Sequence, residues 1–573
     1  MLPVQPNLPI TFTYKDLLFR KLYSAILCSV SSQLLILHVC LIIINGDPFN
    51  PLSWIRTSFD TVTSFTAWLY VIPHMTIIFA QCLICAKDYV LRPTFSSNRF
   101  YKFLSVFSLH NFVLVLLHSL VGIVQVWLVL SLVGGEFKRM TRVNEENIIC
   151  LVEETMFLQL GGLWVGLYYF ASVYISDKHL TFPIIQQKKL TQFKSSVIPL
   201  LKGSFKQAVW PCMYFTLFYN LCGSNIKENV AFMFNLQINE SFHLKFYFFH
   251  LLFSALYFFN MNLIKLFFSL FLTESVEFPL IKLNENVLTL QESVKLEKLP
   301  IVQSLACLDL YRLSLWSPMR RQLLFTLSQP GEHPHNWNSL IENILDLYNS
   351  YINLLTKSSE GINEATIPNT IASIHCQTPI PNKFKNLRNM TSPYYPGESP
   401  QLLEVNSPLR NKIIPEQPVE SVFLKFKNKL INFMAACKAF FGINYIFGEI
   451  PQAHMQKCLS DVHLIIWSSQ GLAELICASI REDQYGVVQK DLPNIISTMV
   501  RLSQALDKLN KVPTLIKKMV SNENSNCNTK NAISSSLKRS LFSICYTFKD
   551  YLYEIPLSKE IGSYLNSNII VKN

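Results

Sequence analysis

The chain has 573 residues, of which 50% are hydrophobic, 13% aromatic and only 15% charged; its mean hydropathy is +0.26, where a soluble chain carries roughly 25% charge. These figures exclude a disordered tail, a disulfide-stapled secreted module and an ordinary cytosolic enzyme, because a soluble surface of this size needs more charge than the chain owns. The formal net charge of +12 lies mainly in the first half, with 20 Lys+Arg against 12 Asp+Glu up to Thr273 and 30 against 26 from Glu274 onward.

Six runs of mainly apolar residues, free of Asp and Glu, follow one another in that half: residues 22–44, 61–86, 112–133, 155–175, 207–226 and 246–264. Each is long enough to cross a hydrocarbon core of roughly 30 Å as a helix, which satisfies its own backbone polar groups as lipid requires. The fifth is the weakest, since Pro211 falls in its first turns. The first run is too long for a signal-peptide core and is expected to act as a signal anchor, inserted through the endoplasmic reticulum. The N-terminus and the second and fourth loops carry 13 Lys+Arg, against 6 in the first, third and fifth. By the positive-inside rule both termini are therefore expected in the cytoplasm. The basic excess thus needs no nucleic acid to explain it, and no Lys/Arg run interleaved with aromatics forms a recognition surface.

Residues 274–573 read as a second, cytosolic half that is also helical. A helix is predicted from Pro300 to Leu315. Another follows the loop at Pro330–His335, with Ser339 and Glu342 matching a capping box and Ile341, Ile344, Leu345, Tyr348, Ile352 and Leu355 on one face. Residues 357–420 hold nine prolines and no apolar period, which describes a linker. In it Thr378, Ser392, Ser399 and Ser407 each precede a proline, so they are candidate sites for proline-directed kinases or chance pairs in a tract rich in both residue types. Further helices are expected at residues 462–480, after an Asp491 cap, and over Leu537–Leu552. The fold class expected is therefore all-α: a six-helix transmembrane bundle (1–273), a helical region (274–356), the linker (357–420), and an amphipathic helix with a C-terminal helical domain (421–573).

That amphipathic helix places Phe423, Phe426, Leu430, Phe433, Met434, Phe440 and Phe441 on one side and Lys425 and Lys429 on the other. Such a face suits a core, an anionic membrane surface or a partner groove. Catalytic motifs are lacking: there is no Walker loop, GxGxxG, HExxH or GxSxG. Cys82 and Cys85 spell CxxC inside an apolar run with no second pair, and His333 and His335 lack a third ligand, so no metal or other cofactor is expected. His38, His74, His110 and His118 lie in or beside the spans, where packing or interfacial roles are the plainer reading. Gly162 and Gly166 form a GxxxG in the fourth run, which permits close helix approach.

Several segments together are similar to one family. They are Leu180–Gln187 (LTFPIIQQ), Ser317–Arg321 (SPMRR), and the string Ser328, Gln329, Pro330, Gly331, His333, Pro334, His335, Asn336, Trp337. To these a late block adds Ser460, Asp461, Trp467, Gly471 and Tyr485–Gln489 (YGVVQ). In order and over most of the chain, they resemble the transmembrane nucleoporins of the Ndc (nuclear division cycle) type. The linker carries no Phe-Gly repeats; the two Phe-Gly pairs, at Phe441 and Phe447, lie outside it. The resemblance implies a membrane-ring component that anchors the nuclear pore complex in the nuclear envelope and supports its assembly. It further implies that the C-terminal half recruits soluble nucleoporins, among them the WD-repeat protein ALADIN and an RRM-bearing linker nucleoporin, with the pore-membrane bilayer as the other partner. The motif segments then serve as interaction or folding determinants. The competing class, a multi-span transporter or lipid-modifying enzyme, would need charged midplane residues or a membrane-facing His/Asp/Cys constellation.

Overall fold

The computed structural model describes residues 14–44, 50–91, 99–133, 141–143, 149–175, 180, 182–183, 187–234, 237–239, 245–282, 287–327, 333–366, 458–511, 524–552 and 554–567. Its membrane half runs α1 (Tyr14–Ile44), α2 (Pro51–Thr63), α3 (Phe65–Val90), α4 (Arg99–Val106), α5 (Leu109–Val133), α6 (Glu153–Tyr169), α7 (Lys189–Phe234) and α8 (Lys245–Leu272). Helices α1, α3, α5, α6 and α8 are long and apolar enough to cross a membrane. They coincide with five of the six runs read from the sequence.

The fifth run, 207–226, lies inside α7, a 46-residue helix continuous through Pro199 and Pro211 and so about 69 Å long at 1.5 Å per residue. Its stripe of Ser204, Ala208, Cys212, Phe215 and Tyr219 is buried, and α8 is its main packing partner. The opposite face leaves Trp210, Leu217 and Leu221 exposed, as suits a helix with one side in lipid. Across the bundle, Leu35, Leu69, Ile72 and Leu116 likewise point outward.

A three-stranded sheet closes one end of the bundle: β1 (Thr141–Val143) pairs antiparallel with β2 (Ile149–Val152), and β2 pairs parallel with β3 (Gln237–Asn239). The helical periodicity that governs the sequence reading has no counterpart in strands of three or four residues, which are too short to show an alternation. Beside the sheet, the Glu153 carboxylate accepts from Lys227 Nζ at 3.0 Å and Tyr219 Oη at 3.2 Å.

The second half comprises α9 (Leu290–Val294), α10 (Pro300–Trp316), α11 (Pro318–Phe325), α12 (His335–Thr366), α13 (Val462–Glu482), α14 (Val487–Lys511), α15 (Asn524–Thr547) and α16 (Lys559–Leu565). Helix α13 also meets the length and hydropathy of a membrane span. It packs instead between α10 and α15, with Leu464, Leu472, Leu475 and Ile476 buried among helices, so its apolar character is that of a central core helix.

Two expected helix starts are corrected. Helix α12 begins at His335, so Ser339 and Glu342 sit inside it, and the capping box forms at Thr289 and Glu292 of α9. Helix α14 begins at Val487; Asp491 is interior to it and accepts a hydrogen bond from Trp337. In both cases the helix extends upstream of the polar residue because its first turn already has something to pack on. One hydrophobic core joins the halves, running from Leu18 and Ala25 in α1 through Phe268 and Leu272 in α8 to Leu305, Ile476 and Leu565. A second core, with Leu41, Val129, Phe157 and Phe215, fills the bundle end nearer the sheet.

Candidate functional site at the bundle and domain junction

The last turn of any helix leaves carbonyls without intrahelical donors. At the end of α8 they are taken by Lys21 of α1, whose Nζ donates to the Phe271 and Glu274 carbonyls at 3.0 and 2.8 Å. The Glu274 carboxylate lies 2.8 Å from Lys189 of α7. Three helices of the bundle, α1, α7 and α8, are thereby tied where the chain leaves it.

The exit strand is then fastened to the helical domain. Ser275 accepts from Arg312, and the Phe278 N–H donates to Asp309 Oδ2 at 2.8 Å while the Phe278 carbonyl accepts from Arg320 at 2.7 Å. Arg320 holds Asp309 in a two-pronged pair at 2.9 and 2.8 Å. Asp309 is 2% exposed, so each charge depends on the other. Burial works against the Arg320 charge, but the Asp309 carboxylate outweighs it and holds the guanidinium above its ordinary value.

The neighbouring Arg321 donates to both Glu482 oxygens at 2.9 and 2.6 Å and to the Ser314 carbonyl at 2.9 Å, clamping α10, α11 and α13. Trp337 is fully buried; its indole N–H reaches Asp491 at 3.0 Å and its ring lies 5.7 Å from Phe325. Phe182, from the segment after α6, meets Trp467 edge-on at 5.6 Å. A Cβ on Gly471 would come within 3.1 Å of the Tyr311 backbone, so α13 lies close against α10. In the YGVVQ turn Asp483 accepts from the Tyr485 and Val488 N–H groups, and Gly486 takes φ +66°, a conformation that suits glycine. Segments separated by more than 280 residues therefore converge on one junction.

His333 and His335 are exposed, and Pro334 and Asn336 lie beside Trp337, the buried member of the string. No group of three metal-ligating side chains occurs among the described residues. Ser328, Gln329, Pro330 and Gly331 lie outside the described residues, as do Thr378, Ser392, Ser399 and Ser407 and the whole Phe423–Phe441 helix.

Within the bundle, Gly162 and Gly166 face α5. A Cβ on Gly162 would sit 2.5 Å from the Gly122 carbonyl oxygen, and one on Gly166 would sit 2.4 Å from that of His118. Around this contact runs a polar seam: Gln33 pairs with Asn260 at 2.8 and 3.0 Å and with His74 at 3.3 Å. Gln81 meets His118 at 3.0 Å, and Tyr257 Oη donates to the His118 carbonyl at 3.0 Å. At the domain-side end Asp88 accepts from Tyr174 at 2.6 Å and lies 3.0 Å from His110; a π turn at Phe170–Tyr174 carries that tyrosine. A search for charged residues passes over these neutral amides, whose signal is Gln or Asn recurring inside otherwise apolar runs.

A family model described as "Nucleoporin protein Ndc1-Nup" matches residues 16–562. The Drosophila melanogaster protein named "Nucleoporin Ndc1" is 25% identical over 571 residues, covering 96% of each chain. "Nucleoporin NDC1" of Homo sapiens is 24% identical over 648 residues, covering 95% of this chain and 96% of its own. That of Danio rerio is 26% identical over 613 residues, covering 89% and 91%. With nearly its whole length matched, from the first span to the last helix of the domain that the junction fastens on, the chain belongs to the Ndc1-Nup nucleoporin family.

Proposed function

We propose that the chain acts as a structural membrane anchor of the nuclear pore complex: the bundle holds it in the pore membrane and the helical domain, seated rigidly on the bundle, presents surfaces to soluble nucleoporins. Family membership over residues 16–562 carries this reading. The arrangement at the junction supports it, because a scaffold must pass load from its membrane helices to its soluble part without a hinge. The six apolar runs carry no Asp or Glu, whereas the competing transporter class would need charged residues within its spans.

Finer elements of the proposal rest on sequence. Both termini face the cytosolic or pore side, after insertion through the endoplasmic reticulum. Among the soluble partners are the WD-repeat protein ALADIN and the RRM-bearing linker nucleoporin, and nucleic acid is not contacted directly. The Phe423–Phe441 face, with Lys425 and Lys429, binds the bilayer or a partner groove. Phosphates placed by proline-directed kinases at Thr378, Ser392, Ser399 and Ser407 add about −1.5 to −2 charge each beside Lys383, Lys385, Arg388 and Arg410, as a regulatory mark on the linker in mitosis.

Imaging of the endogenously tagged protein tests the reading. A punctate nuclear rim overlapping pore markers is expected; plasma-membrane or diffuse reticular signal would overturn it. For topology, a sequon-bearing loop inserted after Asn239 is expected to gain glycan and the same insert at Asn389 to gain none, with the reverse pattern contradicting the orientation.

A further inference from the structure

Along the polar seam, one cavity is faced by two buried acceptors that the protein leaves unserved, His74 Nδ1 and Gln125 Oε1. Gln33 Nε2 donates to the Ser29 carbonyl at 3.0 Å as well as to Asn260 Oδ1. A carbonyl only accepts, so this bond fixes which way the Gln33 amide points. Its Oε1 consequently faces Asn260 Nδ2 and His74 Nε2. His74 must therefore carry its proton on Nε2, and in the neutral ring Nδ1 becomes an acceptor. That Nδ1 is buried with no hydrogen-bond partner in the protein, and so is Gln125 Oε1, an acceptor by nature. His74 and Gln125 are 4% and 6% exposed.

Both side chains line one cavity, with Gln33, Cys40 and Asn260, that gives a water centre about 20 Å³ of room; one buried water needs roughly 10–15 Å³ on this measure and two to four polar partners. We infer that this cavity is a binding site for a single structural water, which donates one hydrogen to His74 Nδ1 and the other to Gln125 Oε1. A water molecule has two O–H bonds, one for each acceptor, which meets the two-partner minimum of a buried water. The water joins α5 to the α1, α3 and α8 cluster of Gln33, His74 and Asn260, so four spanning helices share one polar contact. In lipid the helices gain nothing by hiding apolar surface from one another. A contact that is satisfied in one register only therefore stops them sliding, which is the property a load-bearing anchor needs.

The test uses the full chain in detergent and reads its melting temperature for Gln125→Met, His74→Phe and the double variant. Each single change strands the partner acceptor, so each is expected to lower the melting temperature by roughly 2–6 °C. Because both act through the same water, the double variant is expected to melt no lower than His74→Phe alone. Unchanged single variants, or two losses that add, would overturn the inference. Should a variant fail to accumulate, an experimental density map of the wild-type chain in a lipid nanodisc decides: a solvent peak within hydrogen-bond distance of both His74 Nδ1 and Gln125 Oε1 supports the site, and its absence from a map that resolves other buried waters refutes it.

Discussion

The membrane bundle and the helical domain both bury leucine, isoleucine and phenylalanine between helices, yet they are closed by different chemistry. In the middle of the bundle, α5 and α6 meet backbone to backbone at Gly122, Gly162 and Gly166, and amides and imidazoles make the cross-links, with ion pairs such as Glu153–Lys227 kept to its ends. In the domain the cross-links are ionic, Asp309 with Arg320 and Arg321 with Glu482, around an aliphatic core. The difference follows from solvent. Water drives the domain helices together, and charges persist there as close, hydrogen-bonded pairs at the edge of the core. Lipid supplies no such drive, so the bundle depends on close contact and on polar groups that stay neutral.

The sharpest way to break the ionic side of this contrast is Asp309→Ala. It leaves Arg320 buried without its counter-charge and the Phe278 N–H without an acceptor, and is expected to cost about 3–5 kcal/mol in a denaturant melt of the full chain. Replacing both partners, Asp309→Leu with Arg320→Met, should cost less than the single change, because no orphan charge remains. On the bundle side, Gly162→Val would drive a side chain into the Gly122 carbonyl, and backbone cannot swing aside. A loss of about 3 kcal/mol is expected, whereas Gly203→Ala, with nothing within 4 Å of its added methyl, should be neutral or gain roughly 0.5–1 kcal/mol.

Trp337→Phe keeps a ring against Phe325 but strips Asp491 of the indole N–H. A loss of about 1–2 kcal/mol, shown by the same melts, fits a buried donor removed from a charged acceptor. The smallest effect is pH-dependent. Burial acts to raise the Glu292 carboxyl, but hydrogen bonds from Lys282 and Thr289 outweigh it and leave its pKa below the ordinary 4.5. A carboxyl lowered in the folded state adds stability that is present above pH 4.5 and is lost as the pH falls through the folded value. Glu292→Gln should therefore flatten slightly the acid limb of the stability profile, and an unchanged limb would remove Glu292 from the account.

How much of this was legible in the sequence differs between the two regions. Five spans announce themselves because lipid demands long uncharged runs, and the faces of α12 and α13 are visible in their 3.6-residue period. The string ending at Trp337 marks a determinant, yet nothing local says that its indole would find Asp491, 154 residues away. Nor does spacing reveal that Phe182 meets Trp467. Helix starts were misplaced at Ser339 and Asp491, because a capping pattern is a local preference that tertiary packing overrides. The three strands were invisible for want of length, and the amide seam because Gln and Asn look unremarkable beside absent charges.

The central claim is that bundle and domain form one rigid unit through the junction of Lys21, Glu274, Asp309 and Arg320. Spin labels on Lys194 of α7 and Arg481 of α13, both exposed, in the full chain reconstituted in lipid, would test it by pulsed electron–electron distance measurement. The account predicts a single narrow distance distribution in the wild type that broadens in Asp309→Ala. A broad or multi-peaked distribution in the wild type would mean that the domain swings on a hinge, and would contradict it.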